Sequence, residues 1–485
     1  MEQRVAPDLS VTPSREEEPV LVGKTSKRVL LVTTAFPPNG TSGRFRPLRL
    51  VRLLPQYGWD VTVLTSSPEI RSDPRINDEI PPNARVVRAW LPQLRDRLIT
   101  WGKRWLGVDQ VEATTGRTAI TRGRDPAWRR CARLVSSWSA AVGRYCMIPD
   151  IHMPWIPFAV LQGVKVCRRW DPDVILTTAP TFSTFLVGCL LKRITGIPWV
   201  ADYRDLWTGD VLRQWVPPSR ARLELLLERF LYRRADMILT VSEGYRQRLL
   251  SLHREQRFDR LRWVPNGAAL LDMGNGGLNN LPSAPGTFVY TGYLYDSRNP
   301  VEFFEAFALL ATENSVGPIR PRCILAGRIE PSVRETLERV VSRRRDGMSP
   351  FELPGALPHL EALRLQRSAF ALLLFVNVGS QTEGTIPAKL FEYIAARRPI
   401  LAITENGDVA EIVQRGRLGW VTKPDTMAIH SLLGKILVDP RETVRQAYQP
   451  DWQYLSQFDE RVIASRVACA LTTASASRRV RSRDA

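Results

Sequence analysis

The sequence predicts an α/β protein built from two doubly wound parallel sheets in tandem. Its 485 residues exceed one ordinary core and suit two domains of about 200 residues each. Short β-branched strands alternate with amphipathic helices, which is typical of a parallel sheet covered on both faces. This alternation stops in a glycine- and proline-rich stretch and then starts again. Since ligands of such sheets bind at the carboxyl ends of the strands, we expect a central cleft between two facing domains.

The first predicted domain covers residues 28–268. Its strands are expected at residues 29–34, 60–65, 85–89, 173–178, 198–202, 237–241 and 261–264. An insertion that is rich in arginine and tryptophan interrupts the alternation at about residues 91–147. We therefore predict a Rossmann-like first domain that carries one basic insertion.

The second predicted domain covers residues 287–450 and follows a linker at 269–286. Its strands are expected at residues 287–291, 323–326, 369–376, 400–404 and 419–422. Helices are expected to begin near Pro300, Ser332, Leu357, Pro387 and Asp408. A helix at 451–471 is expected to pack back on the first domain, and the segments 1–27 and 472–485 have the composition of disordered tails.

Composition narrows the cellular setting. The net charge of +19 indicates an anionic partner such as a membrane surface or a phosphate-bearing substrate. The six cysteines have no paired CxxC spacing, and we interpret them as reduced core residues. No run of about 18 apolar residues and no basic, apolar leader are present, so we expect a cytoplasmic protein.

A helix near Pro387 is the strongest candidate for anion binding. Lys389 and Glu392 are three residues apart and so share one face near its positive N-terminus. Lys389 and free backbone N–H groups suit a diphosphate, and Glu392 suits the vicinal hydroxyls of a ribose or sugar. The alternative interpretation is a surface ion pair on a packing helix.

Two further loops that follow predicted strands offer glycine and arginine. Gly292 ends one strand, and Arg298 comes just before the next predicted helix. Gly327 and Arg328 follow the next strand in the same way. Each loop alone is explained by turn chemistry, but together they predict a phosphate site in the second domain.

The sequence also resembles the retaining glycosyltransferases of family 4. The run IPAKLFEYIAARRPILA at residues 386–402 is similar to their donor-site signature. Further matches occur, in the family's order, at residues 36–43, 196–207, 240–242, 264–267 and 288–292. The resemblance implies the GT-B fold, a nucleotide-sugar donor in the second domain, an acceptor mainly in the first, and transfer with retention.

The resemblance also implies particular donor-site residues. They are Gly292, Arg298, Gly327, Arg328, Glu383, Gly384, Thr385, Lys389, Leu390 and Glu392. Glu392 matches the family's ribose-binding glutamate, whereas the position of the usual partner glutamate is Gly384, with Glu383 one place earlier. Tyr293 replaces a common arginine, so Arg298 and Lys389 are expected to form the cationic clamp.

The acceptor side is expected in the first domain. The loop after the first strand supplies Gly40, Thr41, Gly43 and Arg44, which the resemblance places in the cleft. Asp202 and Asp205 follow the strand at 198–202, and either carboxylate could orient an acceptor hydroxyl or accept its proton. The alternative is an aspartate–arginine pair that stabilises the loop. With Arg298 and Lys389 stabilising the leaving diphosphate, these four residues are the predicted catalytic groups.

No metal or other cofactor is predicted. Asp171 and Asp173 form a D-x-D pattern, but they come directly before a strand, where this sequence is ordinary turn chemistry. The four histidines lack metal-ligand spacing.

The basic insertion suggests one more partner. Trp101 and Trp105 have helical spacing with basic residues around them, as in helices that lie on anionic membranes. The alternative is an amphipathic helix packed on its own domain. We therefore expect a hexosyl- or acetamidosugar-type transferase acting on a glycan or lipid-linked acceptor in polysaccharide biosynthesis, peripheral to the membrane.

Three other functions fit the sequence less well. A catalytically inactive nucleotide-sugar-binding or scaffolding protein is compatible with Gly384 and Tyr293. A nucleotide-sugar epimerase lacks supporting residues, and no nucleic acid is expected as a partner because no RNA- or DNA-binding module is recognisable.

Overall fold

Two parallel β-sheets organise the protein. The computed structural model describes residues 26–39, 42–68, 72, 74–93, 147–210, 213, 215–254, 258–270, 285–312, 319–342, 349–376 and 384–481. The first sheet comprises β1 Lys27–Val32, β2 Trp59–Ser66, β3 Arg85–Ala89, β4 Val174–Ala179, β5 Trp199–Tyr203, β6 Met237–Thr240 and β7 Leu261–Trp263. The second comprises β8 Thr287–Thr291, β9 Arg322–Ala326, β10 Phe351–Gly355, β11 Ala371–Phe375, β12 Ile400–Ile403 and β13 Gly419–Thr422.

Six strands of each sheet follow the same order, and the first sheet adds β7 at its edge. The first runs β3-β2-β1-β4-β5-β6-β7, and the second runs β10-β9-β8-β11-β12-β13, with every pair parallel. The order reverses between β1 and β4 and again between β8 and β11, which is where ligands of doubly wound sheets bind. The predicted GT-B architecture is confirmed.

The predicted strands are confirmed, and their ends differ by no more than two residues. One strand, β10, was not predicted. Its burial alternates, and Pro354 near its end argues against a strand in sequence. Because β10 is the edge of the second sheet, a proline is tolerated there.

Helices cover the sheets. In the first half they are α1 Phe45–Leu53, α2 Ile156–Trp170, α3 Ser183–Thr195, α4 Pro218–Arg234 and α5 Glu243–His253. In the second half they are α6 Val301–Leu310, α7 Pro331–Ser342, α8 His359–Ser368, α9 Lys389–Ala396, α10 Asp408–Arg415, α11 Thr426–Val438 and α12 Pro440–Ala447. A short helix, α13 Trp452–Leu455, precedes α14 Glu460–Arg481. The described helices include none that is long and apolar enough to cross a membrane.

The C-terminal helix α14 packs on the first sheet. Its apolar residues, among them Ile463, Val467 and Leu471, share a core with β1 and α1. The helix continues to Arg481, where the sequence predicted disorder from residue 472. Ala474 and Ser475 are still buried, so tertiary packing extends a helix that its polar composition does not indicate.

Candidate active site

Two glycines end neighbouring strands of the second sheet. Gly292 follows β8 and Gly327 follows β9, and their φ angles are +131° and +142°. A Cβ on Gly327 would lie 1.8 Å from the carbonyl oxygen of Gly292, so only glycine fits this backbone contact. Gly327 therefore serves the packing of the two strand ends.

Lys389 extends its ammonium group over Gly292. Nζ lies 3.8 Å from the centroid of the Tyr290 ring, and a Cβ on Gly292 would lie 2.6 Å from it. Among the described residues Nζ is buried without a hydrogen-bond partner. Burial lowers the pKa of Lys389 well below its usual value; Arg298 lowers it further, and Glu392 opposes the shift. Since a buried ammonium group without an acceptor is costly, this position is suited to an anionic ligand.

Arg298 brings a second cation to the same corner. It ends a short 3-10 turn, Asp296–Arg298, and its guanidinium carbon lies 5.0 Å from the Tyr295 ring centroid. Burial raises the pKa of Tyr290 to about 12, and the charge of Arg298 opposes this shift. Two cations within electrostatic reach of each other favour a ligand with more than one negative charge.

The predicted donor helix is α9, and it begins two residues later than expected. Glu392 lies in its first turn, half-buried, with Oε2 3.4 Å from Nε2 of Gln366. The same nitrogen donates to Oγ1 of Thr291 at 2.9 Å. Gln366 thus connects Glu392 to the end of β8. It was not predicted as a site residue, because a single glutamine on an amphipathic helix gives no sequence signal.

Leu390 and Arg328 were predicted to bind the donor, but their surroundings differ from those of Lys389. Leu390 is fully buried in the core of the second domain, and its N–H donates to the carbonyl of Pro387 at 3.0 Å. Arg328 is exposed, and its guanidinium carbon lies 5.3 Å from the ring centroid of Tyr293. The Tyr293 hydroxyl donates to Glu330. Neither side chain therefore lies in the corner formed by Lys389 and Gly292.

The first turn of α5 meets the second domain next to the donor helix. We call the six residues that meet here the interdomain clasp. Ser242 Oγ donates a hydrogen bond to the Gly384 carbonyl (2.6 Å), and Gly244 N donates one to Asp408 Oδ2 (2.9 Å). The hydroxyls of Tyr245 and Thr385 are hydrogen-bonded to each other at 3.2 Å. The clasp places the predicted residues Gly384 and Thr385 at the domain boundary.

Glycine is required on both sides of the clasp. A Cβ on Gly244 would lie 2.5 Å from Cα of Gly384, and a Cβ on Gly384 would lie 2.6 Å from N of Tyr245. A glutamate at residue 384 would therefore force the two domains apart. This contact gives a physical reason why residue 384 is glycine instead of the family's usual glutamate.

Asp202 is a structural residue. It is fully buried at the end of β5, where Arg46 donates from Nε and Nη2 to its two carboxylate oxygens, both at 2.9 Å. Thr178 Oγ1 adds a third bond at 2.9 Å. Because both oxygens are engaged away from solvent, Asp202 fits the alternative of an aspartate–arginine pair, with Arg46 as the partner.

Asp205 remains as the candidate acid–base group. It is half-buried, and desolvation raises its pKa to about 6; Arg204 opposes this shift and Asp210 adds to it. Burial raises the pKa of Tyr245 in the clasp, and the charge of Asp205 raises it further. Of the two predicted carboxylates, Asp205 is therefore the one within electrostatic reach of Tyr245 in the interdomain clasp.

Arg204 fixes the loop after β1. Its buried guanidinium donates to the carbonyls of Ala179 (2.9 Å), Gly43 (2.5 Å) and Pro180 (3.3 Å). Burial lowers the pKa of Arg204, and nearby carboxylates oppose the shift. The arginine next to Asp205 thus positions Gly43 and is not free to bind a substrate.

Arg44 is paired as well. Its guanidinium donates from Nε and Nη2 to the two carboxylate oxygens of Glu79, at 2.8 and 2.9 Å, and the side chain is buried. This bidentate pair makes Arg44 a structural residue of the loop. The predictions for Gly40, Thr41 and Glu383 fall outside the described residues.

The D-x-D pattern forms a turn. Asp171 caps α2 with a φ of +44°, and Asp173 accepts a hydrogen bond from N of Arg28 at 2.8 Å. Within the described ranges, no group of three or more His, Cys, Asp or Glu side chains could hold a metal ion.

One protein-family model matches the first half of the chain. Residues 44–267 match the family model described as the glycosyl transferase 4-like domain. No curated protein sequence matched the chain.

Solved structures share the fold at low identity. The Anabaena protein HepE, solved in complex with UDP and glucose, is 12% identical, with 92% of this chain and 100% of that chain covered at a TM-score of 0.59. Sucrose-phosphate synthase from Thermosynechococcus elongatus is 17% identical, with 93% and 100% covered at 0.61. The lipopolysaccharide outer core galactosyltransferase WaaB is 11% identical, with 92% and 99% covered at 0.53.

The family match covers the first domain, and the structural similarity covers both. The predicted architecture, the order of the strands and the matched family thus agree. Together they support the GT-B fold.

Proposed function

We propose that the protein transfers a sugar from a nucleoside-diphosphate sugar to an acceptor hydroxyl. The observation that carries this proposal is the buried ammonium group of Lys389, which has no acceptor among the described residues and lies beside Arg298 at the start of α9. A diphosphate supplies the missing acceptors. The glycosyl transferase 4-like domain and the complex of HepE with UDP and glucose support this class of donor.

The remaining residues complete the proposed donor site. Glu392, oriented by Gln366, accepts hydrogen bonds from the ribose hydroxyls. Gly292 allows the diphosphate to approach the backbone next to Lys389. In the transition state negative charge grows on the departing diphosphate, and Lys389 and Arg298 stabilise it. The two cations supply the charge that a metal ion would otherwise supply, so we expect activity in the presence of EDTA.

Asp205 is the proposed group on the acceptor side. With a pKa of about 6 it is mostly ionised at neutral pH, and it then orients the acceptor hydroxyl or accepts its proton. Retention at the anomeric carbon follows from the resemblance to family 4. The sugar is proposed to be a hexose or an acetamidosugar.

We assign the acceptor to glycans or lipid-linked glycans of cell-surface polysaccharide synthesis. The structural similarity to WaaB supports this class, and so does the net charge of +19. The protein would then work in the cytoplasm at the inner face of the membrane, with the basic insertion at about residues 91–147 as one contact.

A nucleotide-sugar-binding protein without catalytic activity is the second candidate. The observation that favours it is Gly384, which leaves no carboxylate at the position of the family's first glutamate. This candidate shares the donor site and lacks turnover.

Thermal unfolding with a panel of nucleoside diphosphates tests donor binding. We expect one or more of them to raise Tm, and Glu392→Ala to remove the shift. Glu442→Ala is the control, because Glu442 is a helix glutamate paired with Arg445 on the surface. If RNA or DNA raises Tm and no nucleotide does, the transferase proposal is wrong. Hydrolysis of a nucleotide sugar without acceptor separates the enzyme from the inactive binder.

A further inference from the structure

The helix layer α2, α3 and α4 has an apolar outer surface. These helices lie side by side on one face of the first sheet. Six of their large apolar side chains have exposed fractions between 41% and 62%: Leu161, Leu190, Ile194, Leu223, Leu226 and Phe230. Single exposed apolar residues are normal, but six on one layer indicate an interaction surface.

The same surface is basic. The three helices contain ten basic and two acidic residues. Both acidic residues, Glu224 and Glu228, are buried, with exposed fractions of 1% and 0%. The exposed basic residues are Lys165, Arg168, Arg169, Arg193, Arg222, Arg233 and Arg234. No acidic side chain of these helices faces the solvent.

The polar inner face of α4 has its own role. Glu224 accepts hydrogen bonds from Trp207 Nε1 at 3.2 Å and Arg213 Nη2 at 2.6 Å, and Glu228 accepts one from Thr208 N at 3.2 Å. These carboxylates hold the loop that follows Asp205. The helix thus buries both of its glutamates and exposes Leu223, Leu226 and Phe230, whereas an ordinary surface helix exposes its acidic residues and buries its large apolar ones.

Two further apolar side chains near this layer are exposed. Trp215 and Ile151 have exposed fractions of 47% and 55%. Arg220 lies between Trp215 and the segment that precedes Ile151, because its guanidinium carbon lies 5.4 Å from the Trp215 ring centroid and its Nη2 donates to the Met147 carbonyl at 2.8 Å. Arg220 also binds Glu224, which holds the loop after Asp205.

We infer that this helix-layer face docks on an anionic phospholipid surface. Leucine, isoleucine and phenylalanine side chains among arginines, without exposed carboxylates, match the composition of helices that lie in the lipid interface. The guanidinium carbon of Arg234 lies 3.5 Å from the Phe230 ring centroid, so the ring can enter the acyl region while the charge stays at the headgroups. The inference deepens the proposed function, since it brings the loop of Asp205 to a lipid-linked acceptor.

Vesicle co-sedimentation of the full chain tests the inference. We expect binding to phosphatidylcholine vesicles that contain phosphatidylglycerol, little binding to phosphatidylcholine alone, and weakening by salt. The double variant Leu226→Glu/Phe230→Glu should weaken binding at least about tenfold. The control is Leu360→Glu/Met427→Glu, whose parent residues are 67% and 68% exposed on the second domain and should not affect binding.

Three outcomes would overturn the inference. They are no preference for anionic vesicles, equal binding by the two double variants, and loss of binding only in Trp101→Ala/Trp105→Ala, which would assign the contact to the basic insertion. Self-association that Leu226→Glu/Phe230→Glu abolishes would identify a second copy as the occupant instead. The Tm shift with nucleotide should be unchanged in Leu226→Glu/Phe230→Glu, so failure of lipid docking and failure of donor binding are distinguishable.

Discussion

The ammonium group of Lys389 is the central feature of the proposed donor site. In the free protein its charged form is disfavoured by burial and by Arg298. A diphosphate beside Nζ favours the charged form, so the pKa rises on binding. The sequence predicted Lys389 as a site residue. Its burial against Gly292 and Tyr290 is observed only in the structure.

This difference predicts proton uptake on donor binding. The part of the nucleotide affinity that depends on protonation of Lys389 should be fully present below the pKa of Lys389 in the free protein. It should be lost as pH rises through the higher pKa that Lys389 has in the complex. Calorimetry of nucleotide binding in buffers of different ionisation enthalpy measures the uptake. Lys389→Met should bind weakly and take up no proton; uptake that persists in this variant would contradict the assignment.

Asp205, the proposed acid–base group, carries a cost in stability. Its raised pKa means that the folded state binds more protons than the unfolded state between about pH 4 and pH 6. The contribution of Asp205 to stability therefore falls as pH rises through this window. Asp202, in contrast, accepts hydrogen bonds from Arg46 and Thr178.

We expect Asp205→Asn to raise Tm at pH 7 and to lower kcat by on the order of 10² to 10⁴-fold, with nucleotide affinity retained. The acidic limb of the pH–rate profile, near pH 6 in the parent protein, should disappear. A variant that keeps this limb and its kcat would assign the acid–base role elsewhere.

At the scale of elements, α4 shows how a helix can support a distant loop. Its two inward glutamates bind the segment after Asp205, and Arg220 binds Glu224 from the same helix. The sequence pattern predicted a helix here and gave no reason for its acidic residues to be buried. That reason lies in the loop after β5, which needs buried acceptors for Trp207 and Arg213.

Glu224→Ala should therefore lower the free energy of unfolding by about 3–5 kcal/mol, because it leaves buried donors unpaired. It should also lower kcat more than nucleotide affinity, since the loop of Asp205 loses its support. Urea denaturation and steady-state kinetics measure both effects. The exposed pair of Glu411 and Arg415 supplies the control, because Glu411→Ala should have little effect on either.

At the scale of the whole molecule, the interdomain clasp joins the two sheets. The N–H of Gly244 meets the carboxylate of Asp408 from the other domain at the start of α5, where an anion is favoured. Burial raises the pKa of Asp408, while its bonds to Gly244 and Ser242 oppose this shift. The clasp thus holds Gly384 and Thr385 of the second domain against the start of α5 in the first domain.

Gly384→Ala should open this arrangement, because its Cβ would lie 2.6 Å from N of Tyr245. We expect a larger radius of gyration in small-angle X-ray scattering and reduced transferase activity. Gly434→Ala is the matched control, since its Cβ would meet no atom closer than 4.0 Å. An unchanged radius together with full activity would show that the clasp is dispensable.

The sequence by itself determined the two parallel sheets, twelve of their thirteen strands and the helix that carries Lys389 and Glu392. Those features depend on local hydrophobic periodicity and on residues close together in the chain, such as Lys389 and Glu392. The edge strand β10 and the end of α14 were missed because packing and edge position, not local pattern, form them. Only the tertiary structure decided which groups the buried charged side chains contact. It paired Arg46 with Asp202 across 156 residues and Gly244 with Asp408 across 164, and no local pattern encodes contacts at such separations.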